Sequence, residues 1–327
     1  MNIFDKKPYL IANLGFNFID IAKKEDISVI DAAKLMIDEA KSCGIDSVMF
    51  QLDCLEDSQF DEFGVDEYII LFDYCNRVGI KFLAEPFDFD SADYFDEFVD
   101  VYKISSCDLT DTPFIKHVAS KNKPILLFTG ASTLKEIKVA VNAIEDVSTV
   151  DIAIFHSVLS YPVDYRDTNL LMIKDLANHF PDYEIGYADH SKVDENMLIL
   201  TTAVNYGASI IEKYFTLDKT LTGGNHCHSM DPDDVIKFKN NLNMLSTING
   251  FLNKQPLICE SSARKEFRKS IVAKVDITKG DVISESDIEF KRPGTGIYPS
   301  QIDDIIGKTA TRNVSKGTLI DFEMLMD

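Results

Sequence analysis

The stretch "IIEKYFTLDKTLTGGNHCHSMDP" (210–232) gathers many of the side chains able to do chemistry. An apolar run closes on Glu212 and Lys213, and a glycine pair then leads to His226 and His228. A carboxylate, an ammonium and two imidazoles close in sequence can hold a metal, bind an anion or move protons. A second cluster, "IGYADHS" (185–191), sets Asp189 beside His190, so that a carboxylate is in reach to orient an imidazole. Asn13, Asn17, Gln51, Glu85, Ser105, Ser106, Thr129, His156 and Ser157 also stand at or near the ends of short apolar runs. Together they would supply hydrogen-bond donors, acids and one or two metal ligands.

Each of these residues also has a quieter reading. A histidine at a strand end is often a hydrogen-bonded structural residue, and His226 and His228 in a Gly-rich loop read as solvated surface side chains. Lys103 and Lys123 fit a structural salt bridge as well as a phosphate ligand.

The apolar runs are the elements that must position these groups. Runs at 9–14, 47–52, 80–85, 101–105, 124–129, 151–156, 184–188 and 208–214 alternate with amphipathic stretches. In "SVIDAAKLMIDEAKSCG" (28–44), Ile30, Ala33, Met36, Ile37 and Ala40 fall near helical spacing and Gly44 fits a C-terminal cap. Eight apolar strands alternating with helices in about 250 residues predict a parallel (β/α)8 barrel. A doubly wound open sheet competes, but the Gly-rich turn it usually carries after the first strand is missing. In a barrel the C-terminal strand ends collect the chemistry, which is where the polar residues fall.

After about residue 250 the composition shifts to short alternating strands with turn dipeptides, "TKGD" and "SKGT". The expected organisation is a barrel over 1–250, a linker over 251–268 and a small β-rich module over 269–327. The formal net charge of −21 argues against nucleic acid as a partner. No apolar run approaches the roughly 20 residues needed to span a bilayer, and the N-terminus lacks the apolar core of a signal peptide, so a cytoplasmic protein is expected. The six scattered cysteines form no CxxC pair and read as reduced, mostly buried residues.

Six stretches in order resemble the sialic acid synthase family. They are "YKISSCDLTDTPFIKHVASKNKPILLFTGASTLKEI" (102–137), "FHSVLSYPVDYRDTNLLMIKDL" (155–176), "IGYADHS", the 210–232 segment, and in the tail "KRPGTGIYP" (291–299) and "IGKTATRNVSKGTLI" (306–320). The resemblance implies a (β/α)8 barrel with an antifreeze-like (SAF) C-terminal domain, in a homodimer whose tails cover the partner's barrels. It also implies a reaction: phosphoenolpyruvate condenses with an N-acetylhexosamine-type sugar to give a nonulosonic acid. A divalent metal, Mn²⁺ or Mg²⁺, would polarise the sugar aldehyde. The enol carbon attacks, water adds to the resulting cation and phosphate leaves.

Carried over by motif, His190 is the metal ligand, and Gln51, Tyr161 and Asp189 are the catalytic positions. Lys123, Thr129, Gly130, Ser157, Asn225 and Arg292 are the substrate-binding ones. Several positions depart from the family pattern. Asn13 stands for an acid, Phe18 for a histidine, Met49 for a lysine, Phe128 for a serine and Asn225 for an aspartate. Val158 and Leu159 replace a polar pair, and the loop 52–66 is short. Tyr214 stands for the second metal histidine, with Glu85, His226 and His228 as possible substitutes. These departures leave an alternative open, a catalytically impaired paralogue that binds a sugar or serves as a regulatory subunit. A barrel aldolase using Lys213 as a Schiff base is the remaining reading.

Overall fold

A computed structural model describes residues 8–52 and 64–327 of the 327. Among them, eight parallel strands close into a barrel in sequence order. These are β1 (Tyr9–Asn13), β2 (Ser47–Leu52), β3 (Lys81–Pro86), β4 (Tyr102–Ile104), β5 (Ile125–Phe128), β6 (Ile152–Ser157), β7 (Glu184–Asp189) and β8 (Ile210–Tyr214). Each of the eight expected apolar runs overlaps one of them, five containing the whole strand and three missing only its last residue. Closure is made by β1 on β8, with Asn13 opposite Tyr214.

Helices cover the outside. They are α1 (Asn17–Glu25), α2 (Val29–Cys43), α3 (Val65–Val78), α4 (Phe89–Tyr94), α5 (Thr112–Ser120), α6 (Leu134–Glu145), α7 (Met172–His179), α8 (Leu198–Asn205) and α9 (Pro232–Asn249). Helix α2 shows how locally its limits are set. Ser28 accepts a hydrogen bond from the Asp31 N–H at the start, and Gly44 ends the helix at φ +89°.

Side chains alternate between two cores, as the two-residue strand period requires. Tyr9, Ile11, Met49, Leu83, Val101, Leu126, Phe128, Ala153, Phe155, Ala188 and Ile210 fill the barrel interior. The other faces of the strands pack with the helices in a larger cluster. Inside, the Phe128 and Phe155 rings stack 4.4 Å apart. A methyl placed on Gly186 would lie 2.6 Å from the Phe155 ring, so glycine there makes room for it.

The chain divides into two compact units, Met1–Asn249 and Gly250–Asp327. The second has a helical turn at Ile258–Glu260 leading into α10 (Ser261–Phe267), and two short antiparallel pairs. These are β9 (Ser270–Ala273) with β10 (Ile288–Lys291), and β11 (Thr309–Ala310) with β12 (Leu325–Met326). Its core is a small aliphatic cluster including Ile271, Ile283, Ile305 and Ile320. Residues 251–268, expected as a linker, therefore carry a helix and group with the second unit.

Among the described residues, no helix is long and apolar enough to cross a membrane. Cys43 and Cys75 are buried, but Cys107, Cys227 and Cys259 are exposed, which corrects the expectation of mostly buried cysteines.

Candidate active site at the barrel mouth

The C-terminal strand ends surround a cavity of about 330 Å³. Gln51, Glu85, Lys103, Ser105, Ser106, Phe128, Leu159, Tyr161, His190, Tyr214 and Asn225 line it. Of the sequence-assigned residues, Gln51, Tyr161, His190 and Asn225 are thus brought together.

The floor is a charged network of residues that the sequence offered singly, Lys103 only as a salt bridge or a phosphate ligand, without linking them to one another. Lys103 lies 3.0 Å from Glu85 and 3.9 Å from Glu212, with its ammonium 4.3 Å from the centre of the Phe128 ring. Burial would lower the Lys103 pKa, but Glu85 and Glu212 reverse the effect and hold the ammonium protonated. Gln51 donates to Glu85 at 3.3 Å, and the Asn13 amide donates to Glu212 at 2.6 Å. The other Glu212 oxygen, Oε2, is buried without a hydrogen-bond partner.

Above the network, His190 Nδ1 lies 2.9 Å from the Val158 carbonyl. A carbonyl only accepts, so Nδ1 carries the proton and Nε2 keeps its lone pair. Burial lowers the His190 pKa and leaves the ring neutral near pH 7. Tyr161 lies 4.5 Å from the His190 ring, and Tyr214 lies 6.1 Å from it. Burial pushes Tyr161 up to about 12 and Tyr214 higher still, with Glu212 adding to the latter, so both phenols stay protonated.

Other assigned residues lie elsewhere. Lys123 precedes β5, at the opposite end of the barrel, where it pairs with Asp96 at 2.8 Å. Lys103 is the cation at the mouth. Asp189 is the outward neighbour of inward-facing His190. Its carboxylate holds Lys213 at 2.6 Å and accepts from Tyr187 and the Ser191 N–H. Asp189 is therefore a buried structural ion pair, not a free base, and the same pair removes Lys213 as a Schiff-base nucleophile. Thr129 donates to the Phe155 carbonyl, and with Ser157 it lines a separate cavity outside the barrel wall.

Gly130 donates its N–H to Ser106, and a methyl there would lie 2.9 Å from Ser157 Oγ and Leu159. Arg292 belongs to the second unit, where its guanidinium lies over Phe267 and donates to that residue's carbonyl.

His226 and His228 are buried, not solvated. His226 meets Thr216 at 2.7 Å and Asp20 at 3.4 Å. His228 packs edge-on against Tyr214, and burial lowers its pKa to about 4, helped by Lys213 and His190. Of the 52–66 loop, residues 53–63 lie outside the described part of the chain.

The comparisons with known proteins agree with this layout. The NeuB family model matches residues 53–254, and the SAF domain model matches 268–326. The chain belongs to the NeuB family. An uncharacterised protein of Methanocaldococcus jannaschii is 35% identical over 91% of this chain and 90% of its own. The N,N'-diacetyllegionaminic acid synthase of Legionella pneumophila is also 35% identical, over 80% of this chain and 74% of its own. Among solved structures, the N-acetylneuraminic acid synthetase of Leptospira borgpetersenii superposes with a TM-score of 0.69 at 28% identity. That match covers 79% of this chain and 90% of the Leptospira chain. The named relatives among these are synthases of N,N'-diacetyllegionaminic acid and N-acetylneuraminic acid, and the barrel followed by a SAF domain is the order of parts here.

The residues at this mouth do not fit the family's divalent metal. Among the described residues, no group of three or more His, Cys, Asp or Glu is arranged to hold an ion. His190 is the imidazole that lines the mouth, and its Nε2 lone pair is free. Tyr214 keeps its phenol proton, and both floor carboxylates already face Lys103.

Proposed function

We propose that the barrel mouth binds the amino-sugar partner of nonulosonic acid chemistry, and that the phosphoenolpyruvate half of the family's reaction is lost. The observation that carries this is the state of Lys103. It is the Lys or Arg side chain among the described mouth residues, and it lies between two carboxylates beneath the Phe128 ring. Phosphoenolpyruvate carries several negative charges near pH 7. Seating it here would place them beside Glu85 and Glu212 with no uncommitted cation to offset the desolvation. Met49 and Phe128 occupy positions where the family resemblance places a lysine and a serine.

A neutral sugar meets no such penalty. Its hydroxyls can donate to His190 Nε2, and its carbon face can lie on Tyr161 and Tyr214. Arg292 and the homodimer are part of the same proposal, as the group reaching the acyl substituent and the assembly that delivers it. Sedimentation of the full chain tests the assembly.

The second reading is full condensation, and the survival of Lys103, Gln51, Tyr161 and His190 at one mouth favours it. Titration calorimetry with 2-acetamido-2-deoxyhexoses and with phosphoenolpyruvate, followed by a phosphate-release assay with both, separates the two. The proposal expects sugar binding weakened at least tenfold by Tyr161→Ala, no heat from phosphoenolpyruvate and no phosphate. Phosphate release with a new C–C bond, abolished by Lys103→Met, would establish the synthase instead.

A further inference from the structure

Outside the barrel wall, where the loops after β5 and β6 meet α6 and α7, lies a separate cavity of about 460 Å³. One wall is apolar, built by Leu134, Ile137, Met172 and Leu176. The other is polar and holds His156 and Asp167.

His156 faces outward from β6 and is 4% exposed. Its Nε2 lies 2.8 Å from the Thr168 carbonyl, which can only accept, so Nε2 carries the ring proton. Nδ1 is left as a lone-pair acceptor with no hydrogen bond among the described residues, on a buried ring that lines the cavity. Burial lowers the His156 pKa, which keeps that lone pair free near neutral pH.

Asp167 adds a carboxylate that makes no hydrogen bond or ion pair among the described residues. Asp175 adds another, 3.4 Å from His179. No Lys or Arg lines the cavity among the described residues. Two residues on its rim, Ala131 (φ +57°) and Asn169 (φ +44°), hold left-handed backbone that is costly for an L residue such as alanine. Such backbone persists where the surroundings enforce it and often marks a functional site.

These features select against anions and for donors. An acceptor that opens onto a cavity without a protein partner is placed to take a ligand's donor, and an acidic wall next to an apolar one suits a cation with a short hydrocarbon body.

We propose that this cavity is a second ligand site, taking a small aliphatic amino alcohol. Its ammonium meets Asp167, its hydroxyl donates to His156 Nδ1 and its carbon skeleton lies against Met172 and Leu134. The inference is independent of what the barrel mouth binds. The two sites are nonetheless neighbours, because Ser157 lines this cavity and its Oγ is 3.3 Å from the Oγ of Ser106 at the mouth.

The test uses three near-isosteric probes on the full chain labelled with ¹³C-methyl methionine: 1-amino-2-propanol (cation), propane-1,2-diol (neutral) and lactate (anion). Met172 is the reporter and Met49, inside the barrel, is the control. The expected result is a saturable shift of the Met172 methyl with the amine, at least fivefold weaker affinity for the diol and no response to lactate. Met49 should not move. Asp167→Asn, at an exposed rim position, should bring the amine's affinity down to that of the diol. The proposal is overturned if the amine gives no saturable Met172 shift, if either other probe binds as tightly, or if Asp167→Asn leaves amine affinity unchanged.

Discussion

The barrel unit is strongly acidic, whereas the C-terminal unit carries no net charge. Residues 250–327 hold 12 Lys and Arg against 12 Asp and Glu, so the remaining 21 and 42 put the whole net charge of −21 on residues 1–249. All six histidines are also in the first unit. The second unit has its own cavity of about 570 Å³, lined by Lys254, Arg264, Arg268 and Phe267. Acidity in this protein is therefore a property of the barrel and not of the chain. A solubility pressure acting evenly would have spread it over both units. The barrel's mouth and its outer cavity both lack an uncommitted cation among their described residues, whereas Lys254, Arg264 and Arg268 outnumber Glu260 around the cavity of the C-terminal unit.

The sharpest way to break this contrast is to unbalance the barrel's buried charge. Lys213→Met leaves Asp189 buried without its cation, at a cost of about 3–5 kcal/mol. Urea unfolding measures the loss. Hydrogen exchange should show it in barrel peptides and leave 270–326 protected; an equal loss in both would mean the units unfold as one.

Acidification is the next largest perturbation. The pKa values of His156, His190, His226 and His228 are all lowered, in each case first by burial. Their contribution is complete above the unfolded value near 6.5 and is lost as pH falls toward the folded values. For His228 that window runs from about 6.5 to about 4, worth about 1 kcal/mol at pH 5 after allowance for solvent screening. Asp108, pushed up to about 6 mainly by burial, works in the opposite direction but is a single group. Barrel stability should fall between pH 7 and 5, and the histidine-free second unit should not respond in that window.

Gly130→Ala should cost about 1–3 kcal/mol, since Ser106, Ser157 and Leu159 must all give way. It should also weaken sugar binding at the mouth, as read by calorimetry. The smallest effect belongs to Lys123→Ala. Its pair with Asp96 is partly solvated and worth about 0.2–1 kcal/mol, and mouth affinity should not change.

The barrel was legible because eight apolar runs separated by amphipathic stretches admit few architectures, and each run matched a strand to within a residue at its C-terminal end. The site was only half legible. A motif places a residue along the chain, but the two-residue period decides which face it occupies. His190 and Tyr214 point into the mouth while their neighbours Asp189 and Lys213 point away and neutralise each other. That alternation could have been read from "YADH" and "IEKY". The same count on β4 puts Lys103 inside with Val101, whereas Lys123, before the first residue of β5, belongs to the far end. The unpartnered oxygen of Glu212 and the burial of His226 and His228 had no signal in the sequence, because each depends on contacts between segments far apart.

The Phe155 ring resting where Gly186 has no side chain has a consequence for how this barrel can change over time. Any side chain at 186 collides with the ring, and a smaller residue at 155 leaves a void beneath Phe128. Neither position can drift alone. Among descendants of this chain the two should be exchanged together, a large residue passing from one strand to the other, and the partner strand would record the swap.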